Sequence, residues 1–189
     1  MLSEQIFCVL NAIYLRKMAT PAHVADVTGY DLATVTHILA EQAEAERVIN
    51  INDAYLMQPE GVQKVLEFYQ LTYQPMRVSA GVIAWYERFE QTLNVQFIKA
   101  VSDWQTSEGD ERARERMVRI VERMIRALGE LVMEIPRYAG YIQRFERAMA
   151  LADKGQLDYV CNPTLDSMHN IWFEFHEDIL AVVGRPRDV

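Results

Sequence analysis

"TPAHVADVTGYDLATVTHILAEQ", Thr20 to Gln42, decides how the first part of the chain folds. Thr20 suits a helix N-cap, Pro21 suits the first helical position, where its missing N–H costs nothing, and Gly29 suits the left-handed residue that closes a short helix. Asp31 then caps a second helix, along which Leu32, Val35, Ile38 and Leu39 form one apolar face. Two short helices joined by a glycine turn make a helix-turn-helix.

The flanks extend this reading. Residues 3–17 place Ile6, Val9, Leu10, Ile13 and Leu15 at helical spacing, with Ser3 as N-cap and Arg16 and Lys17 at the end where the helix dipole favours cations. Downstream, "VININDAYLMQPEG" gives a β-branched run, an Asn52-Asp53 turn and a second run from Tyr55 to Met57, which together predict a hairpin. Pro59 opens a further helix that reaches about Tyr73. The order is helix, helix-turn-helix, hairpin, helix.

On these pieces, residues 3–72 resemble the winged-helix domain of bacterial MarR-like transcription regulators. "TPAHVADVTGYDLATVTHILAEQ" matches the helix-turn-helix, and "AYLMQPEG" is similar to the wing strand leading into the last helix of that domain. The resemblance covers less than half of the chain. It implies a DNA-binding domain with the second short helix in the major groove. Family members usually carry basic residues on that helix and at the wing tip. Here the tip is Asn52-Asp53, and the stretch Asp31–Val48 holds one arginine, one histidine and four carboxylates.

From about Ser79 the pattern is helical to the end. The helical segments expected are 79–105, 109–135, 137–153 and 164–184, punctuated by Gly109, Pro136, Gly155 and Pro163. The predicted fold is therefore mainly α with a small β-wing. A winged helix-turn-helix domain is expected over 1–75, and a bundle-like helical domain for dimerisation or ligand sensing over 76–189. Half of the residues are apolar, enough for a real core. No run of about 18 apolar residues occurs, and "MLSEQIFCVL" lacks the basic start and small-residue cleavage site of a signal peptide. A soluble, cytoplasmic protein with no membrane partner is expected. Cys8 and Cys161 have neither CxxC nor Cys/His spacing and are expected to be buried, reduced thiols.

Charge bears on partners. The net charge is −8, and residues 1–75 hold four Lys and Arg against nine Asp and Glu. Affinity for nucleic acid comes largely from cations on phosphates, so a monomer of this composition should bind weakly. Two linked half-site contacts in a homodimer would offset this through effective concentration.

The positions expected to face DNA are Ala33, Thr34, Thr36 and His37, near the start of the second short helix, with Thr20 and the wing-tip Asn52. Glu41, Glu44 and Glu46 lie further along and could point away from a duplex. The rival reading is a winged helix that docks on a protein, as an interaction module or an accessory subunit of an enzyme complex, and never meets DNA.

Two further patterns carry chemistry. Arg112, Arg116, Arg119, Arg123 and Arg126 recur at intervals of 4, 3, 4 and 3; on a helix they fall within roughly 80° of one another. Such a stripe can hold phosphates or carboxylates bidentately, or dock on an acidic face of another chain. It can equally be a solvated face, weakly paired through Glu115–Arg119 and Glu122–Arg126. Secondly, aromatic residues recur on three of the C-terminal helices. The set expected to line a small-molecule pocket is Trp85, Phe89, Tyr138, Tyr141, His169, Trp172, Phe173 and His176, with an ordinary packed core as the alternative. On the last helix both histidines share the apolar side, while Glu174, Glu177 and Asp178 fall on the opposite side, expected to be solvated.

Nothing points to a metal or a cofactor. Seven residues of helix separate His169 from His176 by about 10.5 Å, and neither i,i+4 nor HExxH spacing is present. No P-loop, GxGxxG or GxSxG appears, so an enzyme using either histidine as acid or base is the weakest class. The function expected is a one-component transcription regulator that binds DNA as a homodimer and responds to a small, partly apolar ligand.

Overall fold

In the computed structural model, which describes residues 1–107 and 109–186, the caps fall where the backbone needs them. Helix α1 (Glu4–Arg16) starts with the Ser3 hydroxyl accepting from the amide of Ile6. Helix α2 (Pro21–Thr28) is capped by Thr20, whose hydroxyl accepts from the His23 amide, and ends on Gly29 at φ 73°. Helix α3 (Leu32–Glu44) is capped by the Asp31 carboxylate, which accepts from the Thr34 amide at 2.9 Å. Strands β2 (Val48–Ile51) and β3 (Ala54–Met57) pair antiparallel around Asn52 and Asp53, both at positive φ. A two-residue hairpin turn of the I′ type requires positive φ at both positions, and Asn and Asp tolerate it. Helix α4 (Pro59–Thr72) follows. Its Gly61 lies so close to the preceding chain that a Cβ there would stand 2.2 Å from the Arg47 carbonyl oxygen.

The sheet has three strands, not the two of a simple hairpin. Met18 and Ala19 form β1, paired antiparallel with Leu56 and Tyr55, so that β3 is central. Two residues are too short to leave a period in the sequence.

The described residues divide into two compact units: Met1–Val78 together with those from Glu177 to Pro186, and those between Ser79 and His176. The expected boundary put everything after residue 75 in the second part. The first unit is built on Phe7, Leu10, Ile13, Val35, Leu39, Val65 and Phe68, all buried, with Phe7 and Phe68 stacked at 3.9 Å. The end of the chain is recruited to it by polar contacts. The Tyr69 hydroxyl donates to Asn11 Oδ1 at 2.9 Å, and Asn11 Nδ2 donates to the fully buried Asp178 at 3.5 Å. The Arg77 guanidinium donates to the carbonyl oxygens of Ala181 and Val182. A helical apolar pattern looks the same whichever core receives it, so the sequence held no sign of this division.

The second unit consists of α5 (Ala80–Arg88), a π-helical segment (Phe89–Asn94), α6 (Val95–Thr106), α7 (Glu111–Leu131), α8 (Ala139–Asp153), the short α9 (Asp158–Cys161) and the first part of α10 (Met168–Val183). The expected helix 79–105 is thus interrupted by a π turn, and the expected 109–135 stops at Leu131. Cys8 and Cys161 are free thiols but only half-buried, a correction to the buried positions expected. Burial pushes the Cys161 thiol up to about 12, so it stays protonated and unreactive. Among the described residues no helix is long and apolar enough to cross a membrane.

Candidate functional site

Most of the aromatic residues singled out in the second unit are spent on its core. Phe175, which sequence reasoning passed over, sits at the centre, with its ring 5.4 to 5.9 Å from those of Trp85, Phe89, Tyr138 and Tyr141. Trp172 stacks on Phe97 at 3.9 Å and 3°. Tyr138, Tyr141 and Trp172 are buried in this packing, and Phe173 is half-buried beside it. Trp85 and Phe89 differ, because they also form the floor of an open cleft.

That cleft encloses about 600 Å³. One wall is α5 and the π segment, contributing Trp85, Arg88, Phe89, Thr92 and Leu93; the other is α7, contributing Arg123, Arg126, Ala127 and Glu130. Both sets follow the three- and four-residue spacing of one helical face. The floor is apolar, since the Trp85 indole N–H is already donated to the Ala127 carbonyl oxygen at 2.8 Å. The rim is cationic. Arg88 pairs with Glu130 at 3.0 Å, and Arg123 donates to Gln96 Oε1 at 2.6 Å.

The arginine stripe therefore has two parts. All five side chains are exposed. Arg116 faces Asp103 at 3.5 Å, and Arg119 forms the expected pair with Glu115 at 3.5 Å. Arg112 and Arg116 lie towards the N-terminal end of α7, away from the cleft, whereas Arg123 and Arg126 border it. Arg126 has no hydrogen bond or ion pair among the described residues, so the expected Glu122–Arg126 pair does not form.

The π segment also carries a polar network. His176 Nε2 lies 2.5 Å from Glu90 Oε1, Asn94 Nδ2 donates to Glu90 Oε2 at 2.9 Å, and the Trp172 indole donates to Asn94 Oδ1 at 3.0 Å. Burial pushes the Glu90 carboxyl up, but His176, Asn94 and Tyr86 together outweigh it and hold the group below its usual range. A π turn inserts an extra residue into a helix and recurs at functional positions. Here it lets adjacent residues serve both the cleft and the network. His169 lies apart from it, half-buried, with Nδ1 buried and unbonded; burial lowers its pKa.

The carboxylates of α10 are not a solvated face. Glu174 is 3 % and Asp178 0 % exposed. Glu174 accepts from Arg144 Nη2 at 2.5 Å, and the same guanidinium also reaches Asp166, to which Arg147 adds a contact at 3.1 Å. The side of α10 that carries these acids is enclosed as well, by polar partners distant in sequence.

In the first unit, Ala33, Thr36 and His37 are exposed on α3, Thr34 is half-buried, and Thr20 and Asn52 are exposed. Their donors are largely engaged. The Thr34 hydroxyl donates to Asp31 Oδ2 at 2.6 Å, the Thr36 hydroxyl donates to the Leu32 carbonyl at 2.7 Å, and His37 Nε2 lies 3.4 Å from Glu41. Thr20 and Asn52 hold a cap and a turn. Of the nearby cations, Arg47 is occupied by Gln42 and Glu60.

Among the described residues no cluster of three or more His, Cys, Asp or Glu side chains is placed to hold a metal ion. No family model, curated protein or solved structure matches the chain, so its function is argued from the chemistry of the cleft and of the α3 face.

Proposed function

We propose that the protein is a one-component transcription regulator in which residues 1–75 act as a winged helix and the helical unit senses a small ligand. The observation that carries this reading is the order α1, β1, α2, α3, β2, β3, α4, with left-handed Gly29 between α2 and α3 and a tight turn at the hairpin tip. That order supports a helix presented to a major groove beside a flanking hairpin. With the Thr34 and Thr36 protons engaged within α3, the hydroxyls present lone pairs, which accept from the amino groups of adenine or cytosine. With few cations on this face, affinity depends on two copies acting together, and a homodimer is part of the proposal. Ligand binding alters DNA affinity to the extent that it differs between the two states of the dimer.

Electrophoretic mobility of the full chain with the DNA upstream of its own gene, first in low salt and then with excess nonspecific competitor, tests this. A shift that survives competitor and is weakened by Thr36→Ala or His37→Ala supports it. No shift from folded, dimeric protein overturns it.

A second reading is favoured by charge: the four cations and nine carboxylates of residues 1–75, with Asp53 at the hairpin tip, suit docking on a basic protein partner better than on phosphates. Under that reading the same experiment gives no shift, and the α3 substitutions instead weaken a protein complex.

A further inference from the structure

Two helices of this protein expose charges of opposite sign that the rest of the chain leaves largely unmet. On α7 the five arginines of the stripe are all exposed, over about 21 Å of helix axis. Arg116 and Arg119 meet Asp103 and Glu115, whereas Arg123 meets only the neutral Gln96. The side chains of Arg112 and Arg126 have no hydrogen bond or ion pair among the described residues. On α3 the carboxylates of Glu41, Glu44 and Glu46 stand exposed at its C-terminal end and just beyond it, and no basic residue occupies the last turn. Glu41 faces only His37, at 3.4 Å, and the side chains of Glu44 and Glu46 have no partner among the described residues. A helix dipole is negative at this end, so the three acids sit where their charge is least favoured. We propose that the arginine stripe of one copy docks on the acidic end of α3 of a second copy.

Charge complementarity selects this occupant. Glu41 and Glu44 are three residues apart on α3, as Arg123 and Arg126 are on α7, so each pair projects from one side of its helix at about 4.5 Å along the axis. Guanidinium on carboxylate is the strongest of the side-chain ion pairs, because it is made through two parallel hydrogen bonds. A phosphodiester backbone suits the stripe less well. Glu115 and Glu122 are exposed beside it and would face phosphates, and the net charge of −8 opposes any polyanion. In a protein interface the same two acids fix register by meeting cations and repelling acids. Ala33, Thr34, Thr36 and His37, proposed to read bases, occupy the first half of α3, and the acids its end. Each copy carries both surfaces, so each gives and receives the contact. Exposed ion pairs are individually weak and are screened by salt, so the association depends on several acting together and on low ionic strength.

This deepens the proposed homodimer by naming its contact, and self-association is measured without DNA, so that its failure and that of operator binding are separate results. Sedimentation velocity of the full chain compares about 20 mM with about 500 mM NaCl, between which the screening length falls from roughly 20 Å to roughly 4 Å. Association in low salt that is lost in high salt is expected. Arg123→Glu with Arg126→Glu sets like charges face to face and should weaken it at least about tenfold. Glu41→Lys with Glu44→Lys should do the same, and it places cations where the helix dipole favours them, so the fold is kept. Mixed in equal amounts, the two variants present a glutamate stripe to a lysine end and an arginine stripe to a glutamate end, and association should return to near the parent level. A misfolded variant gives no such recovery, and circular dichroism of each variant alone establishes its fold. A parent chain that is monomeric in low salt, an oligomer indifferent to both charge reversals, or two folded variants that stay apart when mixed would each overturn the proposal. Binding of a short random-sequence duplex that the arginine reversal removes, without self-association, would assign the stripe to nucleic acid and overturn it as well.

Discussion

Replacing Arg144 by Met tests the packing that holds the second unit together. The Arg144 guanidinium is 4 % exposed and meets two carboxylates, Asp166 through both Nε and Nη2 and Glu174 through Nη2. Burial pushes its pKa down, but the two acids outweigh this and hold it above even its ordinary high value, so it remains charged at any accessible pH. Arg147, at 3.1 Å from Asp166, supplies a second cation, and the cluster is balanced at two positive and two negative charges. Methionine has similar length and no charge. It leaves Glu174, 3 % exposed, without the guanidinium it was buried against. A unit pair about 4 Å apart is worth about 4 kcal/mol at an effective dielectric near 20. Removing one member of a buried pair typically costs about 3–5 kcal/mol. The two routes agree, and the expected loss is about 4 kcal/mol. Removing both charges, in Arg144→Met with Glu174→Leu, should recover part of it, because Glu174 is no longer orphaned and Asp166, although it loses Arg144, keeps Arg147 at 3.1 Å. Urea unfolding followed by circular dichroism and Trp fluorescence reads both values at constant slope. A loss below about 1 kcal/mol for Arg144→Met, or a double variant as unstable as the sum of the singles, would refute the reasoning.

Two pH dependences follow from the remaining titratable groups. Glu90 has its folded pKa held below the ordinary 4.5, so its contribution is complete above that value and is lost as pH falls through the folded value. Unfolding curves from pH 7 to 3 should therefore show a shallower acid-side decline for Glu90→Gln than for the parent, and parallel declines would contradict the network. His169 has its pKa lowered by burial from 6.5, so the folded state binds the proton less readily than the unfolded one. Stability should fall as pH drops below about 6.5 towards the folded value, and His169→Leu should remove that part of the slope between pH 7.5 and 5; an unchanged slope would show that the ring is protonated in place.

The parts of this structure legible in the sequence are those governed by neighbours along the chain. Ser3, Thr20 and Asp31 cap helices because a short side-chain oxygen reaches an amide two or three residues on, and Gly29 and Asn52-Asp53 turn the chain because few residues accept positive φ. What was not legible depends on contacts between distant segments. Glu174 reads as a surface acid until Arg144, thirty residues earlier, is seen against it, and Asp178 until Asn11, 167 residues earlier, is seen against it. The arginine stripe was evident as a stripe, but that its last two members border a cleft follows only from the packing of α5 and the π segment beside α7. The aromatic periodicity was likewise real and did not distinguish core from pocket, because a ring such as that of Phe89 belongs to both.

The π segment was invisible for a related reason, and it is where the cleft and the polar network meet. One extra residue in a helix shifts the phase of the apolar pattern by about a quarter turn, too little to register over six residues when both sides of the segment are apolar or amphipathic. Its consequence is large. Phe89 and Leu93 floor the cleft, while Glu90 and Asn94, each the next residue along, reach His176 and Trp172 on α10. A molecule that displaces Phe89 therefore acts on a backbone that also fixes Glu90, whose contacts to His176 and Asn94 are short and half-buried. Helical geometry of this kind costs more than a regular α-turn and persists because its surroundings hold it. Phe89 itself packs on Trp172 at 5.6 Å and on His176 at 5.8 Å, the same α10 residues that Asn94 and Glu90 reach, so the segment cannot relax towards the cleft without disturbing the polar network.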